Sequence, residues 1–427
     1  MTTEELIELD WKHCWHPFTP QDEWTQQAPV MIASGDGAWL TDTEGNRYLD
    51  ANSSIWTNIH GHNHPVLNTA ISDQLSKIAH SSYLGYAHPK ASLLAEKLCN
   101  FFPANTLTRC FFSDDGSTAV EVAMKMSLQS RLQSNSSERT GFICFQNSYH
   151  GDTMGAASLG GVSLFFDRFA KLGLPVHRVS TLDDLQRLPK EVAASTTAVI
   201  IEPMVQGVNE MTPWPKGMLR DLRSWTTEHG LHLILDEVMT GFGRTGKMFA
   251  CQHEDVIPDF LCLAKGLTAG YLPMAATLTT EAIYDTFRGE RKNAFYYGHS
   301  YTANQLGCAV ALASLEIFDN EDTLTRVNLL SDHLDKELKT LLASCPIVHE
   351  VRQIGLVAGV ELRQPNGQKF PPEQRVGDQA AHALKAHGIL TRSILDTFVF
   401  MPPYCITEQE ITHVISAIGE VAKFDYR

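Results

Sequence analysis

The stretch Asp259–Pro273, "DFLCLAKGLTAGYLP", sets Lys265 directly after a short apolar run and directly before a glycine. A brief apolar run bounded by turn residues reads as a strand buried on both faces. Lysine is usually a solvated surface charge, so an ammonium group at the end of such a strand calls for a reason. In sheets of parallel strands, ligands gather beyond the carboxyl ends of the strands.

A second run of this kind lies upstream. "LHLILDE", Leu231–Glu237, ends on two carboxylates, and Lys265 follows Asp236 by 29 residues. That interval is about one crossover to another strand of the same sheet. "RCFFS", "GFICF" and "TAVIIEPM" add further apolar runs, separated by the helical patterns "TAVEVAMKMSLQSRL" and "MLRDLRSWTTEHG". Short strands alternating with helices from about residue 108 to 300 predict an α/β fold with a mostly parallel central sheet. Beyond residue 321 the pattern changes to "LSDHLDKELKTLL", "VRQIGLVAGVEL" and "GILTRSILDTFVFMPPY". This reads as a smaller α+β domain, joined by an N-terminal hairpin in "GAWLTDTEGNRYLD". The expected division is residues 1–60 as a segment joining the small domain, 61–321 as the large domain and 322–427 as the small domain.

The residues after the strands carry the chemistry. After "CFFS" comes "DDGSTAVEVAMKM", where Gly116, Ser117 and Thr118 open a helix with Val120, Ala123, Met124 and Leu128 at helical spacing. Such a start aims free N–H groups, hydroxyls and the positive end of the helix dipole at one point, where a phosphate fits. A plain helix cap is the simpler alternative. Desolvation lowers the pKa of a lysine and frees a neutral amine to form a Schiff base with an aldehyde. Asp236 can pair with a protonated ring nitrogen, and Tyr149 in "NSYHGD" offers an aromatic face to stack on that ring. Pyridoxal 5′-phosphate carries the aldehyde, the phosphate and the pyridine nitrogen together.

Composition excludes other classes. A net charge of −15 without clustered Lys and Arg argues against nucleic-acid binding. The acidic start "MTTEELIELD" is no signal peptide, and no apolar run approaches the roughly 18 residues of a membrane span, so a cytoplasmic protein is expected. Nine cysteines without a C-x-x-C pair read as reduced thiols. His60, His62 and His64 would share a face if extended and could then ligate a metal, but Gly61, Asn63 and Pro65 favour a turn, so no metal is expected.

The long segment Leu233–Leu278 around Lys265 resembles the signature of the class III aminotransferases, which are fold type I pyridoxal phosphate enzymes. "HCWHPFTP", "SSIWTNIHGHNHP", "SDDGSTAVEVAMKMSLQ", "NSYHGDTMGAASLGG" and "YYGHSYTANQLGCAVALASL" extend the resemblance over almost the whole chain. It implies that Lys265 bonds the cofactor's aldehyde and that Asp236 holds the ring nitrogen. It further implies that Gly116 and Ser117 bind the phosphate, and that Tyr149 stacks on the ring and borders the substrate. Gly298, His299 and Ser300 would reach a partner protomer's site, which implies a homodimer with shared active sites. Trp56 would line the substrate pocket, Arg392 would grip a substrate carboxylate and Arg244 would shape the pocket beside it.

Within the family the motifs are most similar to the biotin-pathway branch. That implies 8-amino-7-oxononanoate as acceptor, S-adenosylmethionine or L-lysine as donor, and ping-pong turnover. An ω-amino acid aminotransferase acting on 4-aminobutyrate or ornithine with 2-oxoglutarate is the alternative. Phe18, Ile55 and His299 stand where many members carry tyrosine, tryptophan and proline.

Overall fold

The computed structural model describes residues 1–134 and 136–423. Its centre is a seven-stranded sheet. The strands are β1 (Leu107–Ser113), β2 (Gly141–Phe145), β3 (Val176–Val179), β4 (Thr196–Ile201), β5 (His232–Asp236), β6 (Phe260–Leu263) and β7 (Ala275–Thr280). Their spatial order is β1-β7-β6-β5-β4-β2-β3. Neighbours from β6 through β3 are parallel, while β7 runs antiparallel to both β6 and β1. Every residue of β4 and β6 is buried, as expected of a sheet covered on both faces.

Helix α1 (Gly116–Gln133) packs on this sheet through Val120, Ala123 and Met124, three of the positions that the spacing put on one face. Two strands escape the sequence pattern. The run for β3 is only four residues, half of them polar. β7 is an antiparallel insert whose hydroxyl-rich "AATLTT" shows little alternation. The crossover from β5 to β6 also departs from the usual form, since its only helical piece is the short turn Ala250–His253. Asp236 still pairs in register with Cys262, so the carboxylate and the lysine leave adjacent parallel strands at the same end.

Two four-stranded sheets flank the centre, beside a two-stranded pair, Val205–Gln206 with Thr212–Pro213. Val348–Ile354, Val357–Leu362, Thr397–Phe400 and Ser393–Ile394 form an antiparallel sheet, with the helices Thr323–Ser344 and Glu408–Val421 packed together beside it. The N-terminal strands Ile32–Asp36, Trp39–Asp42 and Arg47–Asp50 form a separate meander, whose last strand pairs in parallel with Ile389–Leu390. The N-terminal hairpin therefore meets the C-terminal part through one short strand. We propose domain limits near residues 60/61 and 321/322, where the chain passes between these sheets.

Candidate active site

A cavity of ≈ 420 Å³ opens at the carboxyl ends of β1, β5 and β6, within the usual range for a cofactor or small ligand. Lys265, Asp236, Tyr149, Gly116, Ser117 and Trp56 all line it. Gly116, Ser117, Tyr149, Asp236 and Lys265 lie at or past the carboxyl ends of central strands, while Trp56 arrives from the turn that follows the N-terminal meander.

Lys265 adopts a left-handed backbone (φ 39°) immediately past β6, which turns the chain into a tight helical turn, Lys265–Thr268. Burial lowers its pKa to about 8; the carboxylates Asp236 and Glu202 oppose that shift, and the guanidinium groups Arg244 and Arg392 add to it. The Nζ atom lies 4.6 Å from the centre of the Trp56 ring, a cation–π distance. Asp236 is 5% exposed, and its Oδ2 is 2.8 Å from His150 Nδ1 while its Oδ1 accepts the Val238 N–H at 3.1 Å.

Helix α1 settles the question of its cap. Asp115 is the N-cap: its Oδ1 accepts the Thr118 N–H at 2.8 Å, and the Thr118 hydroxyl turns back to the Asp115 backbone. Thr118 therefore does not aim into the cavity, in contrast to the sequence expectation for its hydroxyl. Gly116 and Ser117 keep first-turn N–H groups with no intrahelical acceptor. A Cβ on Gly116 would meet Val238 Cγ1 at 2.6 Å, so the cradle is open only because this residue is glycine. A Cβ on Gly151 would likewise strike the Ser117 hydroxyl, and its φ of 120° suits glycine alone.

Tyr149 donates its hydroxyl to Asp152 at 2.6 Å, and burial with that carboxylate holds the phenol protonated far above its usual pKa. Its backbone N–H donates to Glu202 Oε1 at 3.0 Å. Glu202, 6% exposed, also accepts the Gly207 N–H, and burial raises its pKa to about 7.

The remaining expected residues fall around this centre. Arg244 is 1% exposed and lies outside the cavity wall, donating to the carbonyls of Pro402 (2.6 Å) and Asn58 (3.1 Å); burial lowers its pKa. Arg392 is exposed and also outside the lining, close enough to Asp378 for its charge to act on it. Gly298 and Ser300 are exposed, while His299 lies 3.4 Å from Asp114 with its Nε2 buried and without a partner. The three histidines of "HGHNHP" go separate ways, to Ser314, Asp50 and Glu321, and among the described residues no group suits a metal ion.

Sequence reasoning passed over His150 and Glu202. Glu202 carries the signal used for Asp236, a carboxylate directly after a wholly apolar run. For His150 there is none beyond its place next to Tyr149.

The fit to pyridoxal phosphate rests on groups present in the cavity. His150 Nε2 is a buried polar atom without a partner, the glycine cradle opens at a helix N-terminus, and the amine and the carboxylate come from adjacent strand ends. Together they offer donors and acceptors suited to a polar, anionic ring system.

A cofactor-binding α/β fold with a lysine of lowered pKa at a strand end defines the class, and the comparisons agree with it. The model of the family described as aminotransferase class-III matches residues 21–421. The chain belongs to that family, whose members use pyridoxal phosphate. It is similar to the adenosylmethionine-8-amino-7-oxononanoate aminotransferase of Nitratidesulfovibrio vulgaris, 42% identical over 97% of this chain and 81% of the relative. The protein of that name from Geobacter sulfurreducens is 39% identical over 97% of both chains. Among solved structures, the same-named protein of Methanocaldococcus jannaschii superposes with a TM-score of 0.95 at 39% identity, covering 98% of this chain and 99% of that one. An amine transaminase from an uncultivated Pseudomonas species, in its PLP-bound form, has a TM-score of 0.91 at 32% identity, covering 96% and 98%.

Proposed function

We propose that this chain transfers an amino group to 8-amino-7-oxononanoate, giving 7,8-diaminononanoate, with S-adenosylmethionine as donor. The name shared by relatives 33–42% identical over nearly the whole chain supports the acceptor and the donor. The observation that carries the chemistry is Lys265, an amine lowered to about 8 between Asp236 and Trp56.

Pyridoxal phosphate, when bound, supplies a conjugated ring that takes up the electron pair left as a substrate carbon loses its proton. Asp236 would pair with the ring nitrogen, the N–H groups of Gly116 and Ser117 would hold the phosphate, and Tyr149 would cover one ring face. Lys265 Nζ would take and return the proton at the amine-bearing carbon, for which a neutral amine is required. Trp56 would border the apolar chain of the acceptor. Arg392 would bind the acceptor's carboxylate through both oxygens, with Arg244 fixing the pocket wall from behind. Donor and acceptor would occupy the same cavity in turn, so turnover is ping-pong. Gly298, His299 and Ser300 of one protomer would reach the phosphate site of the other, which makes the working unit a homodimer in the cytoplasm; sedimentation as a single-chain species would refute it.

The test is a donor comparison. The yellow holoprotein is mixed with S-adenosylmethionine or L-lysine in separate cuvettes, cofactor absorbance is followed, and 8-amino-7-oxononanoate is then added. Bleaching by S-adenosylmethionine and diamine formation on adding the acceptor are expected. Bleaching by lysine alone would reassign the donor. Turnover with 2-oxoglutarate and none with 8-amino-7-oxononanoate would overturn the acceptor.

A further inference from the structure

Trp56 reaches Lys265 from an uncommon piece of backbone. Ser53, Ser54, Ile55 and Trp56 have φ values of 45°, 48°, 66° and 68°, one full left-handed turn without a glycine. Bonds from Trp56 N to Asn52 O (2.8 Å) and from Thr57 N to Ser53 O (3.0 Å) close it. Such a turn does not persist on local preference, so its surroundings must hold it.

The Ser53 hydroxyl donates to the Met401 carbonyl at 2.6 Å, and on the side of the meander the holding groups are Asp50, His62 and Asn58. Asp50, buried at the end of the N-terminal meander, accepts the Ser54 N–H at 2.9 Å and the Ser54 hydroxyl at 2.8 Å. Its Oδ2 also faces His62 Nε2 at 2.9 Å. On the other side of the ring, Asn58 Nδ2 lies 3.0 Å from His62 Nδ1, while Asn58 Oδ1 accepts the Gly61 N–H at 2.8 Å. The amide nitrogen Nδ2 can only donate, so His62 Nδ1 accepts and Nε2 carries the proton given to Asp50. His62 is itself fixed, because its backbone pairs twice with Gly37 of the meander (2.7 and 3.0 Å). The imidazole is thus a strut between a rigid sheet and the turn. At the far end the Trp56 indole N–H donates to Asn52 Oδ1 at 2.8 Å, which sets the ring over the lysine.

We propose that Asp50 and His62 are positioning residues: through the Ser53–Trp56 turn they hold the Trp56 ring against Lys265, and so set the wall that the acceptor's apolar chain must pass. The proposal rests on the aminotransferase reading of the cavity, and it is tested in a way that separates the two. Holoprotein carrying His62→Ala is compared with His62→Gln, which restores a donor to Asp50, and with His62→Ala in a Trp56→Ala background. Amide exchange over residues 50–60 and the KM and kcat for 8-amino-7-oxononanoate are measured.

His62→Ala is expected to speed exchange in that segment and to raise KM about ten-fold, the scale of one hydrogen bond to a charged acceptor, with kcat within about two-fold. His62→Gln should recover most of both changes, and in the Trp56→Ala background His62→Ala should leave KM unchanged. Unaltered exchange, or the same KM ratio with and without Trp56, overturns the proposal. If the parent protein does not aminate 8-amino-7-oxononanoate, the acceptor assignment fails, and exchange alone decides the positioning role. If His62→Ala does not fold, Asp50→Asn is measured against the same two quantities.

Discussion

An ammonium group lodged against Trp56 loses much of the water that stabilises its charge, and two nearby carboxylates return only part of that loss. The balance leaves Lys265 near 8, not at 10.5. The neutral fraction, which alone attacks an aldehyde, is therefore half at about pH 8 and rises with pH. In cofactor-stripped protein, covalent capture of pyridoxal 5′-phosphate, trapped by borohydride, should accelerate with pH and reach half its maximum near 8. A midpoint near 10.5 would mean that the cavity does not desolvate this amine. Glu202 responds in the opposite sense, since burial raises it to about 7 and favours its protonated form. At this scale much was legible in the sequence: Lys265 and Asp236 each interrupt an apolar run, and a charge at such a break stands out. His150 was not, because a histidine beside a tyrosine has no pattern of its own.

Among the elements, the opening turn of α1 decides how an anion is held. With Asp115 as the cap, about 1 kcal/mol of helix stability comes from its bond to the Thr118 N–H, and the N–H groups of Gly116 and Ser117 remain available. Gly116→Ala would push a methyl into Val238, an overpacking of about 1–3 kcal/mol. We expect it to weaken pyridoxal 5′-phosphate binding about ten-fold or more, and pyridoxal, which lacks the phosphate, much less. Equal losses for both ligands would show that this turn does not hold the phosphate. The helix start could be read from "DDGST", but not which residue caps it, since Asp, Ser and Thr all cap well. The left-handed turn at Ser53–Trp56 was invisible for a related reason: "SSIW" contains no glycine to announce positive φ, and the groups that brace the turn, Asp50, His62 and the Met401 carbonyl, are brought to it by the fold.

For the molecule as a whole, the sheet explains why the site lies where it does. β5 and β6 are adjacent and parallel, so Asp236 and Lys265 emerge side by side, and α1 begins where β1 ends at the same edge. The α/β alternation was legible because apolar runs and amphipathic stretches differ in period. The antiparallel β7 was not, because tertiary pairing between β1 and β6 and not local pattern makes it a strand. Arg392, from the C-terminal part of the chain, does not line the cavity but lies close enough to Lys265 for its charge to act there. The central claim is that Lys265 performs the amino transfer in this cavity. Its most direct test is a single turnover: holoprotein charged with S-adenosylmethionine, freed of donor and given 8-amino-7-oxononanoate, beside Lys265→Ala treated identically. The account predicts close to one 7,8-diaminononanoate per site from the parent and none on the same timescale from the variant; equal product from both would contradict it.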